Sequence, residues 1–247
     1  MRAHTMSERA LDRLPPPRIG QVALIALFIT ALVTAQLTAS KVLGFDLPIS
    51  LPVTGAQVVV PGAFLAYGLT FLASDCYTEL YGRQAAAVMV NIGFAMNFVL
   101  LALVWAAIAA PAAEPASVDP LAFQDVLGAS TNIVIASLTA YLISQNWDVY
   151  FFDWLRERTE GAHLWFRNIA STATSQAIDT FIFILLGFYL VPQLIGIGPV
   201  LDGETLAALL VGHYLLKLGI VALDTPLVYL IVHAVRRWDR PSDSLSM

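Results

Sequence analysis

The chain has 247 residues, of which 58% are hydrophobic and 13% charged, and its net charge is -5 at pH 7. Soluble domains carry about 25% charged residues, so this composition argues against a soluble globular fold, and the apolar content excludes a disordered chain. The acidic balance argues against a nucleic-acid partner, and a single cysteine, Cys76, excludes a disulfide framework.

Six apolar stretches are long enough to cross a bilayer, since a membrane helix needs about 20 residues. In chain order they cover residues 21–43, 57–80, 85–110, 128–150, 168–191 and 206–234. The runs are continuous rather than alternating, which excludes a β-barrel. The sequence therefore predicts an all-α membrane protein. Residues 19–238 form one domain of six transmembrane helices, between a disordered cytoplasmic tail (1–18) and a second cytoplasmic tail (239–247).

The distribution of arginine predicts the orientation of these spans. All 11 arginines lie before the first span, after the last span or in the loops after the second and fourth spans. The loops at 44–56, 111–127 and 192–205 contain no basic residue, and the two lysines lie inside spans. Because basic loops stay on the cytoplasmic side, we expect a multi-pass protein of the cell membrane with both termini in the cytoplasm.

Charged and amide side chains inside the spans are the candidate site residues. A charge at the bilayer centre costs about 2.5–3.5 kcal/mol on insertion scales, so each of these residues needs a reason. Within four of the spans they recur at helical spacing and share a face. The candidates for substrate binding are Asp75, Glu79, Asn97, Gln145, Asp148, Arg167, Asn168, Gln176, Asp179 and Lys217, and those for energy coupling are Asp179, Asp224 and His213.

Polar stripes on membrane helices must face one another, because lipid cannot satisfy them. The sequence predicts one polar cavity that opens toward the cytoplasm. Its floor holds Asp179, Lys217 and His213, and its inner rim is formed by Asp75, Glu79, Gln145, Asp148 and Arg167. Structural alternatives stay open: amides often join membrane helices, the rim acids can pair with nearby arginines, and Lys217 can neutralise Asp179 or Asp224.

A short internal repeat accompanies these stripes. Ser144-Gln145-x-x-Asp148 ends the fourth span, and Ser175-Gln176-x-x-Asp179 lies in the fifth. The two spans run in opposite directions, so the segments can face each other as an inverted pair of the kind found in transporters. Five residues are too few to establish a repeat.

Catalytic signatures are absent from the sequence. There is no GxSxG, HExxH or Walker A motif, and Asp75 with Glu79 is too small an acidic set for a catalytic metal. The sequence thus predicts no enzyme, no metal and no cofactor. An intramembrane enzyme acting on a lipid or peptide is the weakest of three alternatives.

Several segments together resemble one transporter family. The run Thr70-Phe71-Leu72 through Asp75 and Glu79 to Tyr81-Gly82-Arg83 is similar to the "TFL-x-x-D-x-x-x-E-x-YG" signature of the VUT/YhhQ family of queuosine-precursor transporters. Three further segments resemble the central block of the same family: Ser144-Gln145-x-x-Asp148-Val149-Tyr150, Leu164-Trp165-x-Arg167-Asn168 and Gln176-x-x-Asp179-Thr180. Two more resemble its closing span: Leu215-Leu216-Lys217 and Thr225-Pro226. The likeness extends over about residues 21–238, but after Lys217, where we expect an acid, the chain has Gly219-Ile220-Val221.

The resemblance implies uptake of a deazaguanine such as 7-cyano-7-deazaguanine, its aminomethyl analogue or queuine. A carboxylate can accept two N–H groups from a guanine-like edge, and aromatic rings such as Tyr141, Trp147, Tyr150 and Phe183 can stack on a flat heterocycle. Proton coupling through Asp179 or Glu79 is one expectation. The expected partners are this small molecule and the lipid bilayer, and the sequence leaves open whether the unit is a homodimer.

A competing interpretation is a substrate-binding subunit of an energy-coupling-factor importer. Six spans in about 200 residues suit that class. Ala31, Ala35 and Ala39 form a small-residue face on the first span, and such a face can dock a partner helix or serve internal packing.

Overall fold

Six long helices, three short helical segments and one β-hairpin make up the part of the chain that the structure, a computed structural model, describes: residues 18–51, 55–114, 118–160 and 163–238. Except for Arg18, the tails predicted at 1–18 and 239–247 lie outside these residues. In order, the elements are α1 (Ile19–Thr38), β1 (Val42–Leu51), β2 (Gly55–Pro61), α2 (Phe64–Tyr81), α3 (Arg83–Ala109), α4 (Pro120–Gly128), α5 (Ser130–Arg158), α6 (Leu164–Leu185), a π-helical turn (Leu186–Leu190), α7 (Val191–Ile195) and α8 (Gly203–Trp238).

Four stretches have the length and hydropathy of membrane-spanning helices. They are Ile19–Thr38, Arg83–Ala109, Pro120–Arg158 and Ile169–Ile195, so the chain is a mostly helical, multi-pass membrane protein. The other two long helices, α2 and α8, do not meet the same criteria over their described residues, and they carry several of the charged candidate residues. The six-span topology therefore stays a prediction for these two helices.

The β-hairpin corrects the all-α prediction. Strands β1 and β2 pair antiparallel from Val42↔Pro61 to Asp46↔Gln57, where the sequence predicted the end of one span, a loop and the start of the next. The run Val58–Val60 explains the error, because a short apolar stretch fits a membrane helix and a strand equally well. Its β-branched side chains favour the strand, and α2 begins only after Pro61 and Gly62.

The bundle has two distinct sides, which we name by what lies there. On the terminus side, Gln21 Nε2 donates to the Tyr77 hydroxyl (3.1 Å), and Arg236 pairs with Glu79, so the start of α1 and the end of α8 both meet the end of α2. On the hairpin side, β2 packs against the first half of α8. The helix ends that carry arginine belong to the terminus side: Arg18, Arg83, Arg156, Arg158, Arg167, Arg236 and Arg237.

Each side of the bundle has its own apolar cluster, in which its helices pack together. The terminus-side cluster centres on Phe28, Cys76 and Met89, and the hairpin-side cluster joins Ala35 and Ala39 to helices α5, α6 and α8. The small-residue face of α1 is therefore buried inside the chain. It serves internal packing and is not free to dock a partner helix.

Asp202 fixes the start of α8, the helix that carries His213 and Lys217. Its Oδ1 accepts from the backbone N–H groups of Glu204 (3.0 Å) and Thr205 (2.9 Å), and its Oδ2 accepts from the Thr205 hydroxyl (2.9 Å). These bonds satisfy donors that a helix start leaves free. The hydrogen bonds from Thr205 lower the pKa of the Asp202 carboxyl.

Candidate functional site

A cavity of about 120 Å³ lies on the hairpin side, where α1, α2, α3, α5, α6 and α8 converge. Its wall is mostly aliphatic and aromatic, with few polar side chains, which is the usual character of a small-molecule site. The polar and aromatic lining residues are Gln36, Phe64, Tyr67, Phe94, Ser137, Tyr141, Asp179, Phe183 and His213. The cavity thus lies on the side opposite to both described ends of the chain, whereas the sequence predicted that it opens on their side.

A buried ion pair lies at one wall of this cavity, and its acidic member, Asp179, lines the wall. Lys217 Nζ lies 2.5 Å from Asp179 Oδ2, and the two side chains are 3% and 18% exposed. The Ser144 hydroxyl donates to Asp179 Oδ1 at 3.2 Å. The sequence left Asp179 and Asp224 open as the partner of Lys217, and in the structure Lys217 pairs with Asp179. Both carboxylate oxygens therefore have a partner, as a buried charge requires.

Aromatic rings surround His213 on the same wall. The His213 ring lies between Tyr67 and Phe183, at centroid distances of 5.8 and 5.5 Å, and across the cavity Phe94 packs edge-on against Tyr141 at 4.3 Å. His213 Nδ1 is buried and has no hydrogen-bond partner among the described residues. The cavity therefore offers flat apolar faces beside one unused ring nitrogen.

Gln36 is a lining residue that the sequence analysis missed. Its Nε2 donates to the Ser137 hydroxyl at 3.2 Å, while its Oε1 is buried with no partner in the described part of the chain. The available signal was a glutamine near the end of α1, where the other polar residues are threonines. The hydroxyls of Thr34 and Thr38 donate to the backbone carbonyls of Thr30 and Thr34 within the same helix. The Gln36 side chain instead reaches another helix.

The acids of α2 belong to a separate groove on the terminus side. This groove, of about 500 Å³, lies between α2 and α8 and is lined by Asp75, Thr78, Glu79, Asp224, Val228, Tyr229, Val232, His233 and Arg236. The prediction that Asp75 and Glu79 form the rim of the same cavity as Asp179 is therefore wrong. Asp75 comes eight residues after Tyr67, which puts it about 12 Å further along the axis of α2.

The remaining predicted residues line neither cavity. Asp148, Arg167 and Gln176 lie on α5 and α6 and each bury polar atoms that lack a partner within the described ranges. Gln145 is exposed, and Asn97 is fully buried with both amide atoms unpaired within the described part. The side chain of Asn168 lies outside the described residues. Of the predicted set, the structure brings Asp179, Lys217 and His213 together at the hairpin-side cavity, and Asp75, Glu79 and Asp224 together in the terminus-side groove.

Comparison with known proteins agrees with this membrane architecture. The family model described as "Putative vitamin uptake transporter" matches residues 61–231, which run from the end of β2 into the last third of α8. A Bacillus subtilis (strain 168) protein named "Probable queuosine precursor transporter" is 32% identical over 166 residues, which are 66% of this chain and 67% of that protein. No solved structure matches the chain. The chain belongs to the vitamin uptake transporter family.

Proposed function

We propose that this protein imports a 7-deazaguanine precursor of queuosine or archaeosine, such as 7-cyano-7-deazaguanine or queuine, and that the hairpin-side cavity binds it. One observation carries the proposal: an aromatic cavity inside the bundle contains a carboxylate and an amide oxygen that lacks a partner among the described residues. The name of the Bacillus subtilis relative supports the same substrate class.

The lining groups match the edges of a guanine-like base. The ring N–H and the exocyclic amine point the same way, so one carboxylate accepts both, and we assign this role to Asp179. The amide oxygen of Gln36 accepts a further N–H group. The rings of His213 and Phe183 provide a face on which the flat base stacks.

Binding requires the cavity to change, because about 120 Å³ is small beside the roughly 300–1,000 Å³ of typical ligand sites. The Asp179–Lys217 pair is the part that we expect to move. A base that binds Asp179 competes with the Lys217 ammonium, and the flexible lysine stem lets that group swing aside. Exchange between lysine and substrate keeps the carboxylate paired in both states.

Coupling of uptake to protons is a further part of the proposal. Asp179, His213 and Asp224 are titratable groups inside the bundle, and a proton that binds Asp179 would release Lys217 in the same way as the substrate does. Asp75 and Glu79 line the terminus-side groove together with Asp224, and we propose this groove as the exit toward the cytoplasm.

Uptake by the purified protein tests the proposal. The chain is reconstituted in liposomes, and entry of labelled 7-cyano-7-deazaguanine is followed without ATP, with and without an inward proton gradient. We expect saturable uptake that queuine inhibits and that the gradient accelerates. Absence of both binding and uptake would overturn the proposed substrate, and uptake that needs an added ATPase partner would favour the energy-coupling-factor subunit instead.

The orientation of the bundle is a separate part of the proposal, with both termini in the cytoplasm and the hairpin outside. Cys76 is the single cysteine of the sequence, so Cys76→Ala gives a cysteine-free background for labelling in intact cells. A cysteine at exposed Asp46 on β1 should react with a membrane-impermeant thiol reagent, and one at exposed Asp153 near the end of α5 should not. The reverse pattern would invert the assignment.

A further inference from the structure

We propose that Asp148, Arg167 and Gln176 form a second binding station for the base, the terminus-side station, related to the Asp179 site by an inverted repeat of α5 and α6. The inference rests on the proposed function. It adds a place that the substrate occupies on its way out of the hairpin-side cavity.

The contacts between α5 and α6 carry the repeat. Ser144, the first residue of one S-Q-x-x-D segment, donates to Asp179, the last residue of the other, at 3.2 Å. Exchanging the two segments turns the Ser144–Asp179 pair into Ser175–Asp148. In two antiparallel helices with Ser144 opposite Asp179, the same register predicts that Ser175 lies opposite Asp148. A likeness too short to establish from sequence is therefore supported by the way the two helices pack.

The two halves of the repeat differ in their partners. Asp179 is held by Ser144 and Lys217. In both halves the serine hydroxyl lies within hydrogen-bond distance of the backbone carbonyl three residues earlier, Tyr141 for Ser144 (3.2 Å) and Thr172 for Ser175 (3.0 Å). The difference is in the second half, where Asp148 Oδ1 is buried with no partner in the described ranges. One carboxylate of the pair is satisfied and the other has an oxygen that is still available.

The groups near Asp148 are unpaired as well. Arg167 is only 6% exposed, and its Nε and Nη1 have no hydrogen-bond partner in the described part of the chain, like the Oε1 of Gln176. Buried polar atoms are nearly always hydrogen-bonded in native proteins. Donors and acceptors without a protein partner are paired by water, by a bound ligand or in a second conformation, and a base at this place would supply partners for both kinds of group.

Helix geometry places Asp148 one turn of α5 away from the ring that Arg167 contacts. The Arg167 guanidinium lies 5.2 Å from the ring centroid of Phe152, and Phe152 follows Asp148 by four residues, so both occupy one face of α5. Asp148 thus lies between Ser144, which contacts Asp179, and Phe152, which contacts Arg167. The carboxylate therefore lies one turn of α5, about 6 Å along the helix axis, from the ring that the guanidinium contacts, and a flat base can bridge this spacing.

This set of groups is complementary to a flat base with both donors and acceptors. Asp148 and Gln176 accept N–H groups, Arg167 donates to the ring carbonyl oxygen, and Phe152 offers an apolar face. A carboxylate in each half of the repeat lets the base keep its N–H contacts as it moves from Asp179 to Asp148. Inverted repeats give transporters such paired, alternately accessible states.

The test compares binding with transport in proteoliposomes that contain the full chain. The probe is 7-cyano-7-deazaguanine, and the variants are Asp148→Asn, Arg167→Gln and, as a matched control, Asp153→Asn on the exposed surface of α5. We expect Asp148→Asn and Arg167→Gln to slow uptake by about tenfold or more, the effect of losing a charge-assisted hydrogen bond, while the Kd measured from the hairpin side stays within about threefold. The control should keep both values.

The outcomes separate this inference from the proposed function. If the wild-type protein neither binds nor transports the base, the proposed function fails. If it transports the base and the Asp148 and Arg167 variants transport at the same rate, the second station is wrong and the proposed function stands.

Ligand protection tests the station even where a variant folds poorly. Ser175→Cys in the Cys76→Ala background puts a thiol opposite Asp148, and a reagent is added from the terminus side. With the base at about ten times its Kd, occupancy of the station slows labelling about tenfold. A cysteine at exposed Asn146 is the control, and an unchanged rate at position 175 would overturn the inference.

Discussion

The two sides of the bundle each contain an ion pair between a basic and an acidic side chain, and the two pairs differ in distance and in burial. On the hairpin side, Lys217 and Asp179 are 2.5 Å apart and 3% and 18% exposed, whereas on the terminus side Arg236 and Glu79 are 3.1 Å apart and 60% and 59% exposed. A buried charge left without its partner costs about 3–5 kcal/mol, while an exposed pair contributes about 0–1 kcal/mol. Burial thus separates a pair that organises a site from one that lies at a solvated edge.

The largest effect should follow from breaking the buried pair. Asp179→Asn leaves the Lys217 ammonium buried without a counter-charge, and we expect the free energy of unfolding to fall by about 3–5 kcal/mol. Uptake of 7-cyano-7-deazaguanine should fall more than about tenfold, because the carboxylate that accepts the base is also lost. Thermal unfolding in detergent and uptake in liposomes measure the two effects.

A second variant separates stability from transport at this position. Asp179→Asn combined with Lys217→Met removes both charges, so it should recover much of the lost stability, yet it should not recover uptake. Recovery of uptake in the double variant would show that Asp179 serves only to neutralise Lys217.

The hairpin makes the two sides differ in packing as well as in charge. A Cβ added at Gly212 of α8 would lie 2.0 Å from the backbone oxygen of Val59. Gly212→Ala must therefore move β2 away from α8, at a cost of about 1–3 kcal/mol. We expect a lower unfolding temperature together with slower uptake, since β2 ends at Pro61, in the cavity wall.

Gly219→Ala in the same helix is the matched control. Nothing lies within 4 Å of a Cβ at Gly219, and alanine is favoured over glycine in a helix by about 1 kcal/mol. This variant should be as stable as the wild type or more so. Equal loss of stability in both alanine variants would contradict the close contact between hairpin and helix.

What the sequence could predict follows from the same comparison. The pairing of Lys217 with an acid was predictable, with Asp179 and Asp224 both open as the partner, because lipid forces charged groups on membrane helices to face one another. The separation of Asp75 from Asp179 was not predictable. Helical spacing shows on which face of a helix a residue lies, but it does not show which residues of other helices lie beside it. The assignment of Asp75 to another groove depends on how α2 packs against α8 along its whole length.

Two other features were hidden for different physical reasons. The valines of β2 satisfy the hydropathy of a membrane span, so only strand pairing with β1 distinguishes the two structures. Gln36 forms no polar stripe within α1, because the position one turn before it is the apolar Leu32 and the helix ends two residues after it, at Thr38. An amide at such a position becomes informative only when its partner, Ser137, is known.

A smaller effect on the hairpin side should come from Gln36. Gln36→Leu removes the free amide oxygen from the cavity and should weaken binding of 7-cyano-7-deazaguanine by about 3–10-fold, the effect of one neutral hydrogen bond. Stability should change little, because the variant also removes an unpaired buried acceptor. Gln21→Leu is the control on the same helix, where the amide donates to Tyr77 on the terminus side. Equal weakening by both changes would argue against a specific contact with Gln36.

The smallest effect should come from the exposed pair, and it completes the comparison. In a double-mutant cycle of Glu79→Gln and Arg236→Gln, the coupling free energy should stay below about 1 kcal/mol, because water screens both charges. It should decrease further in 1 M salt, at which the screening length is about 3 Å. Unfolding of the four proteins in low and high salt measures the coupling. A salt-insensitive coupling above about 2 kcal/mol would mean that this edge of α2 and α8 closes over the pair and shields it from water.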